Sequence, residues 1–344
     1  MERIDMTERT PKPLDDESAA IVLGAVVFVA AAVVAVVVFW GRALPIAGAG
    51  SIGTFVAIAA AASAAVSFGV GRLVASRLHI GGIAGRTRSR YLWFDLIALS
   101  IAHAAIALLG WIGVATVMED AFLGATLYTS PAVVLAGAAT ALTAYASYLS
   151  ALALSPKHLS LVLAVFLVVG VMSAMLSSSD PLWWQMNLSA LGITHDISSL
   201  TFNLTLIVSG VIITTIARFG TASLPSVTVA DRRRLWIVRS VFILLGVLLA
   251  CVGIFPVDRF FLLHNTVATG MAVAYGLLVI GAPWLLPSLP RTFLVLGYVF
   301  VAGIVALTIL FFAGVYNLTA VELVAGLMIF AWVILFLRNV QQSE

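Results

Sequence analysis

Residues 19–40 read AAIVLGAVVFVAAAVVAVVVFW and contain no charged side chain. A helix needs about 20 apolar residues to cross roughly 30 Å of hydrocarbon. Inside lipid the backbone must satisfy its own hydrogen bonds, which leaves helices and closed barrels as the spanning structures. Barrel strands would give shorter segments of alternating polarity, whereas the apolar run here is continuous. The stretch therefore predicts a transmembrane helix.

Apolar runs of similar length recur along the rest of the chain. Of the 344 residues, 62% are hydrophobic and 10% are charged, whereas soluble domains have about a quarter charged residues. The sequence therefore predicts an all-α fold, a polytopic transmembrane bundle of ten spans. We place these spans at 19–40, 53–74, 92–117, 131–153, 159–177, 201–217, 236–255, 265–286, 293–313 and 319–337.

The basic residues predict the orientation of the bundle. Lys and Arg in short loops stay on the cytoplasmic side of a membrane. With the N-terminus inside, only Arg42 and Arg259 of the 18 Lys and Arg residues fall in predicted outer loops. We therefore expect a multi-pass membrane protein with both termini in the cytoplasm and a cytoplasmic tail at 1–18.

Polar side chains gather at the predicted outer ends of several spans. Ionisable groups at membrane depth are costly, so they are candidates for function. We predict an outward-facing polar pocket formed by His195, Asp196, Asn203, Asp258, His264 and Glu322. The loop before span six would add contacts from Trp183, Trp184, Asn187 and Ser189. A further ionisable residue, His103, falls near the middle of span three, as a buried donor or a proton relay.

Several chemistries fit these outer residues. A zinc site could use His195, His264 and a carboxylate, but the chain has no HExxH spacing. A hydrolase could use Ser189 or Ser198 with His264 and Asp258, but the chain has no Gly-x-Ser-x-Gly motif. The structural alternative is a polar network that joins span ends. We therefore predict no metal, no cofactor and no assigned catalytic residue.

One family resemblance covers residues 158–340. The stretches LSALG at 188–192, Phe202-Asn203 and GIFP at 253–256, followed by His264, resemble a bacterial and archaeal membrane family catalogued as domain of unknown function 998. Glu322 lies where that family often has Glu-Arg, and this chain lacks the Arg. The resemblance implies a six-span core at 158–340 preceded by a four-span bundle at 19–157, in a prokaryotic plasma membrane. The family is distantly similar to DRAM-type and GPI-lipid-remodelling proteins, which implies an association with lipid.

Three functions follow as hypotheses. The first is a protein that handles or senses lipid through the outer pocket, with membrane lipids or a small-molecule ligand as partners. The second is a secondary transporter of a small metabolite or drug, built from two five-span repeats. The third is an intramembrane lipid hydrolase or transferase. The chain has no phosphate-binding glycine motif and no signal for nucleic acid, and the sequence does not favour an enzyme.

Overall fold

The computed structural model describes residues 15–78, 86–193, 196–222 and 228–340. This part of the chain forms ten α-helices, each long and apolar enough to cross a membrane by length and composition. The predicted all-α bundle of ten spans is thus confirmed, and the chain is a multi-pass helical membrane protein. The helices are α1 Asp16–Phe39, α2 Ile52–Leu78, α3 Arg86–Ala121, α4 Thr129–Leu152, α5 Pro156–Leu176, α6 Ile197–Ala222, α7 Val229–Ile254, α8 Phe261–Leu285, α9 Arg291–Phe312 and α10 Leu318–Val340.

Side chains cap the first turn of several of these helices. Asp15 accepts a hydrogen bond from the Ser18 N–H at 2.7 Å at the start of α1. Thr228 and Asp231 form a reciprocal capping box at the start of α7. Caps satisfy backbone donors that the first helical turn leaves without partners. For this reason α7 begins at Val229, ahead of the predicted position 236, and includes charged residues that no apolar run contains.

Hydrogen bonds between helix ends define two faces of the bundle. Thr129 at the start of α4 donates to the Phe39 carbonyl at the end of α1, at 2.9 Å. Arg72 near the end of α2 donates to the Ala151 carbonyl at the end of α4, at 3.3 Å. We call the face where α1 begins the N-terminal face, and the other the opposite face. On the opposite face two short strands, β1 Leu44–Pro45 and β2 Thr126–Leu127, pair antiparallel; the sequence did not predict them.

Helix α3 joins the first four helices to the remaining six. Both α1 and α2 pack against α4, and α3 packs against α2, α5 and α6. One core of buried side chains includes Phe68, Leu99 and Leu163, and so runs across residue 157 without a break. The division into bundles at 19–157 and 158–340 stays a prediction.

Glycines bring α6 and α7 into close contact. A Cβ atom on Gly210 would lie 2.2 Å from the Gly246 carbonyl oxygen, and one on Gly246 would lie 2.5 Å from the Gly210 carbonyl oxygen. Lipid tails are as apolar as the helices, so association in a membrane depends on close packing at small residues. The two glycines therefore fix how closely α6 and α7 pack.

We expect Gly210→Ala to lower the free energy of unfolding by about 1–3 kcal/mol, the usual cost of overpacking. The thermal midpoint of the purified protein in detergent measures this. Gly276→Ala on α8 is the matched control, because a Cβ there meets nothing within 4 Å. Equal midpoints for the two variants would contradict the packing argument.

Candidate functional site

The segment between α5 and α6, residues 177–193, covers part of the opposite face. We call it the α5–α6 loop. It contains two 3₁₀ turns, at Trp183–Gln185 and Leu188–Gly192. Short turns of this kind leave backbone N–H and C=O groups without helical partners. Side chains from α6 and α10 bond to such backbone groups, and a side chain from α8 bonds to a side chain of the loop.

His264 and Glu322 hold the second 3₁₀ turn from two helices. The His264 Nε2 lies 3.0 Å from Ser189 Oγ, and its Nδ1 lies 2.8 Å from the Phe255 carbonyl oxygen. Glu322 accepts hydrogen bonds from the backbone N–H of Leu188, at 2.6 Å, and of Ser189. His264 is only 4% exposed. Both side chains are therefore committed to fastening the loop to α8 and α10.

Asp196 and Asn203 hold the end of the loop. Asp196 caps α6 by accepting from the Ser199 N–H at 3.1 Å, and it also accepts from the Ser179 hydroxyl at 2.6 Å. Asn203 donates to the Gly192 carbonyl at 3.1 Å. A Cβ on Gly192 would lie 2.6 Å from the Asn203 side-chain oxygen, so glycine permits this approach. The loop is bonded at both of its ends.

The other residues predicted at this face differ from these four in their contacts and exposure. Asp258 lies beside Arg259, with an N–O distance of 3.9 Å. The Trp184 side chain is about half exposed, and its carbonyl accepts from Asn317 at 2.9 Å. The side-chain oxygen of Asn187 is buried without a hydrogen-bond partner in the described part of the chain. Trp183 packs against the main core, and His195 lies outside the described residues.

The Ser189–His264 contact is the closest approach to a hydrolase arrangement. A nucleophilic serine needs a histidine base that a third group orients. Here a backbone carbonyl takes the place that Asp258 was predicted to fill, and the Ser189 N–H already donates to Glu322. Among the described residues no three His, Cys, Asp or Glu side chains are grouped to hold a metal ion. The contacts of Ser189, His264 and Glu322 therefore anchor the loop.

A groove lies between α3, α4 and α5. Its volume is about 670 Å³, within the range of small-molecule sites. Large apolar side chains at its rim are partly exposed, among them Val114, Leu142 and Met172. All three helices are candidate spans. The groove therefore opens sideways, toward the hydrocarbon of the surrounding membrane.

Polar side chains occupy the end of this groove that lies toward the N-terminal face. His103 on α3 and Ser150 on α4 both line the groove. The His103 Nε2 lies 2.8 Å from Ser150 Oγ, which in turn lies 2.9 Å from the Nε2 of His158 on α5. Phe68 stacks on the His103 ring at 4.2 Å. Three helices thus meet through one chain of hydrogen bonds.

The sequence identified His103 but missed Ser150 and His158. His103 was expected to donate to a carbonyl of a neighbouring helix, and its Nδ1 contacts the Leu99 carbonyl of its own helix at 2.8 Å. Ser150 and His158 flank the short turn between α4 and α5. A serine and a histidine on either side of a turn at a span boundary are a weak signal, because most such residues only cap helices.

Comparisons with known proteins returned no match among family models, curated proteins or solved structures. The resemblance to the family of unknown function over 158–340 therefore stays a prediction. The functional argument rests on the geometry of the groove and of the loop.

We expect Glu322→Gln to loosen the α5–α6 loop, because an amide has one acceptor oxygen and no charge where the carboxylate accepts two backbone N–H groups. Hydrogen bonds to charged groups contribute about 1.5–3 kcal/mol. Faster hydrogen exchange of the Leu188 and Ser189 amides measures the change. The control is Glu119→Gln, an exposed carboxylate at the end of α3. Unchanged exchange at 188–189 in Glu322→Gln would contradict the anchoring role.

Proposed function

We propose that the protein binds lipid, and that one apolar chain of the lipid lies in the groove between α3, α4 and α5. The observation that supports this is the groove itself: about 670 Å³ of space, walled mostly by apolar side chains and located within three membrane-spanning helices. Apolar walls offer water few hydrogen-bond partners, and the medium next to them is hydrocarbon. An acyl chain is the occupant that matches both conditions.

The length of the groove suits a chain. It extends along α3 from His103 to Met118, which corresponds to about 22 Å at 1.5 Å per helical residue. This is most of the roughly 30 Å thickness of membrane hydrocarbon. The small residues Gly110 and Gly113 of α3 and Ala146 of α4 are among the residues that line it.

The helix packing favours this proposal over a transporter with two five-helix repeats. In the first half α1 and α2 both pack against α4, whereas in the second half successive helices pack in order, α6 with α7 and α7 with α8. Inverted repeats would reproduce one packing pattern in both halves. The anchored α5–α6 loop also disfavours a freely accessible polar pocket on the opposite face.

The distribution of Lys and Arg predicts which end of the groove lies nearer the cytoplasm. The N-terminal face, where α1 begins and α10 ends, would lie in the cytoplasm, because most Lys and Arg fall in the predicted loops of that side. The polar end of the groove would then lie nearer the cytoplasmic leaflet, where anionic lipids attract basic loops. Membrane lipids are accordingly the proposed partners.

We expect Ala146→Trp to block lipid binding, because Ala146 lines the groove at an exposed position of α4 and an indole would fill the space. The probe is a long-chain fatty acid methyl ester with a mid-chain diazirine, crosslinked to the full-length protein in membranes. Mass spectrometry should locate labelled peptides in 86–176. Labelling should fall about tenfold, equivalent to ~1.4 kcal/mol.

Ala62→Trp is the matched control for this experiment. Ala62 lies at an exposed position of α2 and does not line the groove. The control should label like the wild type. Labelling spread evenly over all lipid-facing helices, or equal labelling of both Trp variants, would contradict a lipid-binding groove.

A further inference from the structure

The bonds among His103, Ser150 and His158 have a fixed direction. A carbonyl oxygen can only accept, so the His103 Nδ1 beside the Leu99 carbonyl carries the proton. In the neutral ring Nε2 is then the acceptor, and the Ser150 hydroxyl must donate to it. The Ser150 oxygen in turn accepts from the Nε2–H of His158. All hydrogen bonds therefore point the same way: His158 donates to Ser150, and Ser150 donates to His103.

The two ends of this hydrogen-bond chain have different surroundings. His158 is half-buried in the first turn of α5, next to the exposed Lys157, at the N-terminal face. His103 is 7% exposed and lines the groove, as Ser150 does. These hydrogen bonds thus connect the surface of the N-terminal face with the near end of the groove in the membrane-spanning region.

The groove lining limits the charge that a ligand can bring. Among the described residues that line it there is no Lys, Arg, Asp or Glu, and His103 is the ionisable side chain. A permanent anion such as a phosphate diester, buried beside these walls, would need a permanent countercharge. A carboxylate needs only one proton to become neutral, and one histidine can supply it.

We propose that the ligand is a long-chain carboxylic acid, whose carboxyl group lies at His103 and Ser150 and takes up one proton through His158. This extends the proposed function, on which it rests, by naming the class of lipid. His158 binds a proton at Nδ1 and passes its Nε2 proton to Ser150 Oγ, whose own proton moves to His103 Nε2. The resulting imidazolium transfers that proton to the carboxylate, which leaves a neutral acid and a neutral imidazole.

Other titratable groups at this end do not line the groove. Those that the structure describes on the surrounding helices are Arg72 on α2, Asp95 on α3, Tyr145 and Tyr148 on α4 and Lys157 on α5. Tyr145 donates a hydrogen bond to Glu17 at the start of α1. Arg72 and Asp95 interact electrostatically with each other, and Arg72 also donates to the Ala151 carbonyl. The ligand's proton is therefore assigned to the histidine chain.

The equilibrium test measures binding of a long-chain fatty acid and of its methyl ester to the full-length protein in detergent, by calorimetry in buffers of different ionisation enthalpy. Above the pKa values of free acid and free imidazole, the acid should bind with uptake of about one proton. Its affinity should then fall by up to about tenfold per pH unit as pH rises. The methyl ester should bind without proton uptake at any pH.

His103→Gln separates the carboxylate site from the groove. Glutamine can bond to Ser150 but cannot be protonated. We expect it to weaken binding of the acid by up to about tenfold, through loss of the hydrogen bond between the imidazole and the bound carboxyl group, with binding of the methyl ester unchanged. Loss of acid and ester together, or acid binding without proton uptake, would overturn the carboxylate site.

His158→Gln tests the route of the proton and leaves the groove lining intact. Stopped-flow mixing with a pH-sensitive dye should show proton uptake about tenfold slower than in the wild type, equivalent to ~1.4 kcal/mol of barrier. Uptake at the wild-type rate would overturn the route through His158. If neither acid nor ester binds even to the wild type, the groove proposal itself fails, and that result is distinct from each outcome above.

Discussion

Membrane helices have no hydrophobic force to hold them against one another, because the lipid around them is equally apolar. In this protein close contact at small residues takes over that role. The backbones of α6 and α7 approach at Gly210 and Gly246, and α2 approaches α4 at Gly71, where a Cβ would lie 2.8 Å from the Ala151 side chain. Polar side chains can form specific bonds between helices only where such contacts have set the spacing.

The same apolar surroundings determine where the hydroxyl groups bond. Thr140, Thr205 and Thr215 each donate to a carbonyl four residues earlier in their own helix. Such bonds satisfy the hydroxyl group but do not connect one helix to another. Bonds between helices therefore mark special positions. The two histidine assemblies, at His103 and at His264, belong to this smaller group, and they lie at opposite ends of the bundle.

These assemblies differ in what surrounds them. At the opposite face, His264 and Glu322 bond to the α5–α6 loop, and their polar atoms are used in the fold. At the N-terminal face, His103 and Ser150 are bonded to each other and also line an open groove. A polar group that is both satisfied and accessible can exchange its partner for a ligand at little cost, since a new hydrogen bond replaces an old one. This is the physical reason for placing the proposed ligand site in the first half of the chain.

The sequence by itself determined the ten helices and the level of most polar groups, because backbone hydrogen bonding and hydropathy in a membrane are local properties. It predicted Asp196, Asn203, His264 and Glu322 at one level of the membrane. Their partners are backbone atoms of residues 188–192 and side chains of the loop, which depend on how the loop folds back onto α8 and α10. The groove was beyond prediction, since it exists only because α3 packs against α2 and α5 and leaves a gap beside α4. The bonds of Ser150 and His158 likewise required the tertiary structure, because only the packing of the whole bundle brings α3, α4 and α5 together at His103.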